Sequence, residues 1–162
     1  MRIIALSDSH FRSGISKIPT DFWTCLNGCD LILHAGDVGD ISFLEDLRSF
    51  APVEAVCGNN DVPNPPYLPY KKVLLLEGHA IGIAHGHQVR NPEGMLAPGF
   101  FAEEVDMVIF GHSHVPYFEN IEGKLLLNPG AIMRPRCGNS KSCAELRIEK
   151  NKMINVQMFY FF

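Results

Sequence analysis

RIIALSDSH, at residues 2–10, joins an apolar run to an aspartate and a histidine that stand two positions apart. An aliphatic run bounded by polar residues predicts a buried strand. Asp8 and His10 follow it and, at this spacing, can point to the same side of the chain. Carboxylate oxygens and imidazole nitrogens are ligands of hard and borderline divalent metals. The stretch therefore predicts a strand that ends at a metal site.

The same arrangement recurs at the ends of five later apolar runs. The further motifs are Gly36-Asp37, Gly58-Asn59-Asn60-Asp61, His85-Gly86-His87, Gly111-His112-Ser113-His114 and Asn128-Pro129-Gly130. Taken singly, Asp8, Asp37 or Gly58-Asn59 could equally form ordinary turns. Taken together, the motifs place ligand-type side chains at the ends of successive strands, where loops collect functional groups on a rigid frame. The Asp37 carboxylate could bridge two ions, so the pattern indicates a two-metal hydrolase.

The motif pattern does not fix the roles of three histidines. His34 lies inside the apolar run LILHA, so it is interpreted as a hydrogen-bonded core imidazole or as a group that orients a ligand. His79 follows Glu77-Gly78 and is interpreted as a turn residue. His87 could face the substrate or support a ligand, because its neighbour His85 is the better ligand candidate.

Length and composition indicate one globular domain over residues 1–162. The chain is 46% hydrophobic and 20% charged, which is ordinary for a globular protein. A net charge of -4 argues against broad affinity for nucleic acids or anionic membranes, and no apolar run approaches the ~20 residues of a membrane span. The five cysteines form no tight framework, and the N-terminus lacks signal-peptide features. We therefore expect reduced thiols in a cytoplasmic protein with no membrane contact.

Local patterns predict a strand-rich chain with few helices. Strands are expected at residues 2–7, 30–35, 53–57, 72–76, 80–84, 105–110, 124–127, 144–148 and 154–160. Helices are expected at 21–26 with Thr20 as a cap, at 42–50 with a Ser42–Glu45 capping box, and briefly within 92–104. Early strand–helix alternation followed by a strand-rich half predicts mixed sheets covered by helices.

In this order, the motifs resemble those of the calcineurin-like metallophosphoesterase superfamily, over Met1 to about Ile148. Two further stretches, HGHQV at 85–89 and NPG at 128–130 with Arg134-Pro135-Arg136, resemble its small single-domain phosphodiesterase branch. They also resemble the retromer subunit that shares the fold. The resemblance implies an α/β protein with a four-layer α/β/β/α sandwich of two mixed sheets and a dinuclear site at the sheet edges.

The resemblance also implies which residues hold the two divalent ions. Matched position by position, the first ion would take Asp8, His10 and His114, the second Asn59, His85 and His112, and Asp37 would bridge both. Manganese is the expected metal, with nickel, iron, zinc and magnesium as alternatives. The reaction implied is in-line attack on phosphorus by a hydroxide held between the ions, with Asn59 touching both ion and phosphate.

Asn60 departs from the pattern that this resemblance implies. Many members have a histidine at this position, which protonates the leaving group and is paired with the residue equivalent to Asp61. An amide supplies no proton, so the chain would lack acid catalysis that commonly contributes ~10²–10⁴ in rate. This favours a small-molecule or nucleotide-type phosphodiester substrate, with Asp37, Asn59, Asn60, Asp61 and His87 as the candidate catalytic groups. The alternatives are a phosphomonoesterase and a non-catalytic, metal-binding scaffold for protein interactions.

Several peripheral features have no fixed role in the sequence. Arg12, Arg134 and Arg136 are candidate phosphate contacts, although surface arginines are more often simply solvated. The proline-rich stretch at 63–70 is interpreted as a rigid surface connection, with pocket lining as the alternative. The aromatic C-terminus, residues 156–162, predicts a last strand that packs on the core. Its excess of apolar side chains leaves a homo-oligomer contact as a further hypothesis.

Overall fold

The computed structural model describes residues 1–61 and 68–162, and its strands form two five-stranded sheets. The first sheet has the order β10-β9-β1-β2-β3, with β1, β2 and β3 parallel and β9 antiparallel to β1 and β10. Its strands are β1 (Arg2–Leu6), β2 (Leu31–His34), β3 (Val53–Ala55), β9 (Lys141–Arg147) and β10 (Asn155–Phe161).

The second sheet has the order β4-β5-β6-β8-β7. Its three central strands, β5, β6 and β8, are parallel, and antiparallel edge strands flank them. The bounds are β4 (Lys71–Leu76), β5 (His79–Ala84), β6 (Met107–Ile109), β7 (Tyr117–Ile121) and β8 (Lys124–Asn128). Both sheets are therefore mixed, as the alternation of sequence patterns predicts.

Three apolar clusters divide the molecule into layers. One lies between the sheets and joins side chains such as Ile3 and Leu33 of the first sheet to Ile83 and Ile109 of the second. Another packs helices α1 (Thr20–Cys25) and α2 (Ser42–Arg48) on the outer face of the first sheet. The third covers the outer face of the second sheet with a short 3-10 helix (Pro92–Leu96) and the segment that follows it. The expected α/β sandwich of two mixed sheets is confirmed, with a 3-10 helix and irregular chain as its fourth layer.

Some local predictions differ from the structure. The strand β7, YFENI, was not expected, because its polar residues lie at a sheet edge and show no apolar run. The helix α2 has no side-chain cap from Ser42, and instead the Asp40 carboxylate accepts a hydrogen bond from the Ser42 backbone N–H. The helix α1 begins at Thr20 after Pro19, also without a side-chain cap. Most of the proline-rich stretch, residues 62–67, lies outside the described residues.

The aromatic C-terminal strand β10 packs on both of its faces. Val156 and Met158 contact the cluster between the sheets, while Phe159 and Phe161 contact the helical layer. This alternation explains most of the apolar excess, and the prediction of a last strand that packs on the core is confirmed. Tyr160 and the terminal phenylalanine stay exposed at the sheet edge, so the homo-oligomer contact stays a prediction. No helix in the described ranges is long and apolar enough to cross a membrane.

We expect the cluster between the sheets to dominate stability. Replacing Leu33, which is fully buried there, with alanine should lower the free energy of unfolding by ~2–5 kcal/mol, because lost burial and a cavity both contribute. Leu75→Ala is the matched control, since Leu75 is 77% exposed and should change stability by about 0.5 kcal/mol or less. Urea unfolding followed by circular dichroism measures both. Equal losses would contradict this location of the core.

Candidate metal centre

Candidate ligands from both sheets meet at one edge of the sandwich. Asp8 and His10 follow β1, Asp37 follows β2 and Asn59 follows β3, all at the carboxyl ends of parallel strands. The histidines of the second sheet follow the parallel strands β5 and β6 in the same way. Open α/β sheets commonly bind ligands outside the carboxyl ends of their strands. The topology therefore brings residues that are distant in sequence to one place.

The backbone at this edge adopts a strained conformation. Positive φ angles occur at Asp8 (52°), His10 (40°), Asp37 (55°), His112 (69°) and His114 (59°). The left-handed region is sparsely populated by residues other than glycine, and each such residue costs ~1–3 kcal/mol. Strain of this kind is kept where the surrounding structure fixes it, most often at functional sites.

Asp8 uses one carboxylate oxygen to hold loops together and leaves the other free. Its Oδ2 accepts hydrogen bonds from the Ser7 hydroxyl at 2.6 Å and from the His112 backbone N–H at 3.0 Å. Its Oδ1 is buried, 3.2 Å from Nε2 of His114, and has no hydrogen-bond partner among the described residues. A buried, unpartnered carboxylate oxygen is costly, so Oδ1 is suited to bind a cation.

Asp37 lies between two imidazole rings. Its Oδ2 is 3.5 Å from Nε2 of His10 and 3.3 Å from Nε2 of His85. Asn60 donates to the same carboxylate, from its backbone N–H to Oδ1 at 2.8 Å and from its side-chain amide to Oδ2 at 2.6 Å. Burial alone would raise the pKa of Asp37, but the contact with His85 and the hydrogen bonds from Asn60 hold that pKa well below its usual range. Asp37 is therefore ionised at neutral pH.

Hydrogen bonds to backbone carbonyls fix the ring orientation of two histidines. Nδ1 of His85 donates to the Ala35 carbonyl at 2.8 Å, and Nδ1 of His114 donates to the Arg134 carbonyl at 2.6 Å. Since a carbonyl can only accept, Nδ1 carries the proton and Nε2 faces the site with its lone pair. The Nε2 atoms of His114 and His10 lie 3.3 Å apart, so both rings point to the same location.

The other side of the centre is open to solvent. Asn59 and His112 are both exposed, and Nδ1 of His112 lies 3.1 Å from the Asn59 side-chain oxygen. The His112 ring is 5.4 Å from the ring of His85 and 6.3 Å from that of His87. Burial and the charges of His85 and His112 lower the pKa of His87. A ligand from solvent would thus arrive at Asn59 and His112 first.

The donor set fits a divalent metal ion. Ligand atoms of Asp8, His10, Asp37 and His114 all lie within 4.8 Å of one another. Oδ1 of Asp8 and Nε2 of His85 are buried without hydrogen-bond partners in the described part of the chain, and a cation would satisfy both. Mixed carboxylate and imidazole donors suit several first-row metals and magnesium. The sequence-predicted residues Asn59 and His112 lie beside this group and contact each other.

Comparison with known proteins agrees with this geometry. The profile of the calcineurin-like phosphoesterase superfamily domain matches residues 1–151. The chain belongs to this superfamily. A probable metallophosphoesterase from Methanocaldococcus jannaschii is 36% identical over 151 residues, covering 92% of this chain and 77% of the relative. A phosphodiesterase from the same organism is 24% identical over 143 residues, covering 80% of this chain and 83% of that one.

A solved structure extends the likeness to the whole fold. The crystal structure of a Vps29 single mutant from Entamoeba histolytica matches with a TM-score of 0.80 and 25% identity, and covers 100% of both chains. Family membership and the donor cluster together make this calcineurin-like protein a metal-dependent phosphoesterase.

Glycines in the calcineurin-like motifs make room for the carboxylates. A Cβ atom added to Gly58 would overlap the Asp37 carboxylate, and one added to Gly111 would overlap the Ser7 hydroxyl and lie 2.6 Å from Oδ2 of Asp8. Any larger residue would therefore displace the aspartates. The pairing of glycine with a following ligand in the sequence thus reflects close packing of one loop on the next.

Asp61 and Asn128 belong to the sequence motifs, but the sequence does not indicate the supporting roles that they have in the structure. Asp61 accepts hydrogen bonds from the backbone N–H groups of Gly39 at 3.0 Å and Gly58 at 2.8 Å, so it joins two loops of the centre. The buried Asn128 donates to the Gly111 carbonyl at 2.8 Å and thereby supports the loop of His112 and His114. The motif at 128–130 stands out in the sequence, but nothing in it indicates which loop it contacts.

The arginines flank the centre on the side of His10 and His114. The positive charge of Arg134 contributes to lowering the pKa of His10, after the larger effect of burial, and Arg136 acts in the same way on His112. Both arginines are exposed. Arg12 is exposed as well, and its backbone N–H is bound to the Ser16 hydroxyl. Contact of these side chains with phosphate stays a prediction.

Ser9 and His34 form a buried support behind the centre. The Ser9 hydroxyl donates to the Val38 carbonyl at 2.8 Å. The hydroxyl oxygen of Ser9 also lies 2.8 Å from Nε2 of His34. Burial lowers the pKa of His34 to about 4, so the ring is neutral at pH 7. This confirms the interpretation of His34 as a hydrogen-bonded core imidazole. Because Ser9 stands between Asp8 and His10, the contact fixes two candidate ligands at once.

We expect Ser9→Ala to weaken both the fold and metal binding. The change leaves Nε2 of the buried His34 ring without its partner and removes one of the two hydrogen bonds at the Val38 carbonyl, which keeps the one from the Phe11 N–H; this should cost ~1–3 kcal/mol of unfolding free energy. Ser13→Ala, at an exposed serine nearby, should change stability by less than about 0.5 kcal/mol. Urea unfolding gives the stabilities, and calorimetric titration with manganese gives the affinities. An unchanged manganese affinity in Ser9→Ala would show that the contact does not position the ligands.

Proposed function

We propose that the protein hydrolyses phosphodiesters with the help of two divalent metal ions. The observation that carries this proposal is the position of Asp37, whose Oδ2 lies between the inward-facing nitrogens of His10 and His85. An ionised carboxylate between two groups of donors suits a bridging ligand. The cluster of Asp8, His10, Asp37 and His114 by itself requires only one cation site. The position of Asp37 next to His85 as well supports a second site.

The candidate ligands divide between the two ions. Asp8, His10 and His114 would hold the first ion, Asn59, His85 and His112 would hold the second, and Asp37 would contact both. Manganese is the proposed metal. Nickel, iron, zinc and magnesium are alternatives, because mixed oxygen and nitrogen donors accept all of these ions and do not select one by affinity alone. When bound, such ions activate water and neutralise charge on the phosphate.

The chain's own residues orient the substrate. Asn59 and His112 are exposed, so a phosphate can approach them from solvent without displacing the buried carboxylates. The Asn60 amide is held on the Asp37 carboxylate at 2.6 Å, and it keeps that carboxylate ionised and oriented. Asp61 fixes the backbone on either side through Gly39 and Gly58. These contacts favour positioning and electrostatic stabilisation over proton transfer by a side chain.

The absence of a histidine at residue 60 supports diesters over monoesters. An amide donates a hydrogen bond but no proton, so a poor alkoxide leaving group would depart without acid catalysis. Diesters with good leaving groups depend least on such help. The relative from M. jannaschii named a phosphodiesterase supports the same choice. A purely protein-binding role is disfavoured, because every candidate ligand is present and most meet within contact distance.

The test is an assay of the manganese-loaded protein with matched diesters and monoesters of nitrophenol. We expect hydrolysis of the diester to exceed that of the monoester and to be lost after chelation. Asp37→Asn should lower kcat/KM by at least about a thousandfold, because an amide cannot supply the bridging charge. Asp46→Asn, at an exposed aspartate on α2, is the control and should leave activity unchanged. Full activity in the chelated protein would refute metal dependence, and a dominant monoesterase activity would refute the substrate class.

A second variant tests the role assigned to residue 60. Asn60→His introduces a proton donor next to the centre, so alkyl esters with poor leaving groups should gain more than nitrophenyl esters. We expect a gain on the order of tenfold, because an unadapted loop captures only part of the acid-catalysis effect. Asn60→Gln keeps an amide and should show no such trend. Measuring kcat/KM against leaving-group pKa gives the slopes, and identical slopes in Asn60→His and wild type would contradict the role.

A further inference from the structure

One aromatic residue near the centre is exposed without a structural reason. Tyr70 is 58% exposed and belongs to none of the three apolar clusters among the described residues. Its ring centroid lies 6.5 Å from the ring of His87. The His87 ring in turn lies 5.5 Å from that of His85 and 6.3 Å from that of His112. Tyr70 is therefore separated from two candidate metal ligands by a single ring.

The backbone on both sides of Tyr70 is fixed. The preceding carbonyl, of Pro69, accepts a hydrogen bond from the Cys57 N–H at 2.8 Å, just before the loop of Asn59. The following residue, Lys71, pairs with Ala84 in the β4–β5 ladder, so Tyr70 stands beside His85 at the end of that ladder. The backbone of Tyr70 is thus held between the loops that carry Asn59 and His85. When a ligand binds on the ring, only the rotation of the side chain itself is left to be restricted.

The two flanks of the centre differ in chemistry. On the side of His10 and His114 lie the exposed, cationic arginines Arg134, whose carbonyl accepts from His114, and Arg136, whose charge also acts on His112. On the side of His85 lie the half-buried ring of His87 and the exposed ring of Tyr70. Planar rings in substrates stack on aromatic side chains, and such contacts contribute to affinity largely independently of hydrogen-bonding pattern.

From this arrangement, and resting on the proposed phosphodiesterase function, we propose that Tyr70 and His87 form a stacking site for a planar ring on the ester group that stays on phosphorus. The preferred substrates would then be aryl, benzyl or nucleoside phosphodiesters. The ring lies on Tyr70 while the phosphate meets Asn59 and His112. Stacking acts on the ground state and the transition state alike, so it lowers KM more than it changes kcat.

Three nitrophenyl diesters test the stacking site, with benzyl, cyclohexylmethyl or methyl as the second ester group. The leaving group is the same in all three, and the first two differ mainly in planarity. In wild type we expect kcat/KM to follow the order benzyl, cyclohexylmethyl, methyl. Tyr70→Ala should lower the benzyl-to-methyl ratio about tenfold, mainly through KM, while Tyr70→Phe should preserve it. Tyr160→Ala removes a tyrosine that is 49% exposed on β10 and should leave all three values unchanged.

The outcomes separate the stacking site from the underlying activity. If wild type hydrolyses the methyl ester but Tyr70→Ala lowers all three esters equally, the stacking site is refuted and the phosphodiesterase stands. If wild type hydrolyses none of them, the proposed function is refuted. Calorimetric titration of the manganese-loaded protein with adenosine monophosphate and with ribose 5-phosphate then tests stacking without turnover. Tighter binding of the nucleotide that is lost in Tyr70→Ala supports the site, and equal binding of the two ligands overturns it.

Discussion

Two buried carboxylates, Asp8 and Asp37, lie side by side at the ends of neighbouring parallel strands, and the rest of the centre compensates their charge. Burying an unpaired carboxylate costs several kcal/mol, and a second one adds repulsion. N–H and O–H groups donate hydrogen bonds to Asp8 Oδ2 and to both oxygens of Asp37. Imidazole rings lie next to the remaining oxygen, Asp8 Oδ1, and next to Asp37 Oδ2. Contact with Asp8 is the largest cause of the raised pKa of His114. A divalent ion bound among these groups would supply the compensating positive charge.

Strain and packing are the means by which this arrangement is held. Five candidate ligands occupy the left-handed region, at a cost that no single hydrogen bond recovers. Three side chains hold the loops in place through hydrogen bonds. Ser9 binds the Val38 carbonyl, Asp61 binds two backbone N–H groups, and Asn128 on β8 binds the Gly111 carbonyl. Each joins a loop to a neighbour from another strand. The centre is therefore fixed by contacts between loops, whereas the sandwich below is fixed by apolar burial between the sheets.

The fold and the ligand cluster were largely predictable from the sequence, and their supports were not. Apolar runs that end in aspartate, asparagine or histidine indicate both the strands and the edge at which they meet, because the carboxyl ends of parallel strands lie together. The edge strand β7 was missed, since a strand with one solvated face and a polar sequence shows no apolar run. The loop-joining role of Asp61 was missed for another reason. Its partners are backbone N–H groups, which every residue carries and no sequence pattern marks. The left-handed backbone conformation of Asp8 and Asp37 likewise cannot be predicted from the sequence pattern.

Because the candidate ligands come from both sheets, metal binding would also affect the stability of the fold. Asp8, His10 and Asp37 extend from the first sheet, and His85, His112 and His114 extend from the second. A cation held by these donors would cross-link the two sheets at one edge of the sandwich, where the loops are polar and their backbone is strained. Ligand binding to the native state at a hundredfold excess over Kd contributes ~2.7 kcal/mol of stability. A cell short of the metal would hold a looser protein as well as a less active one, and proteolysis would follow metal availability.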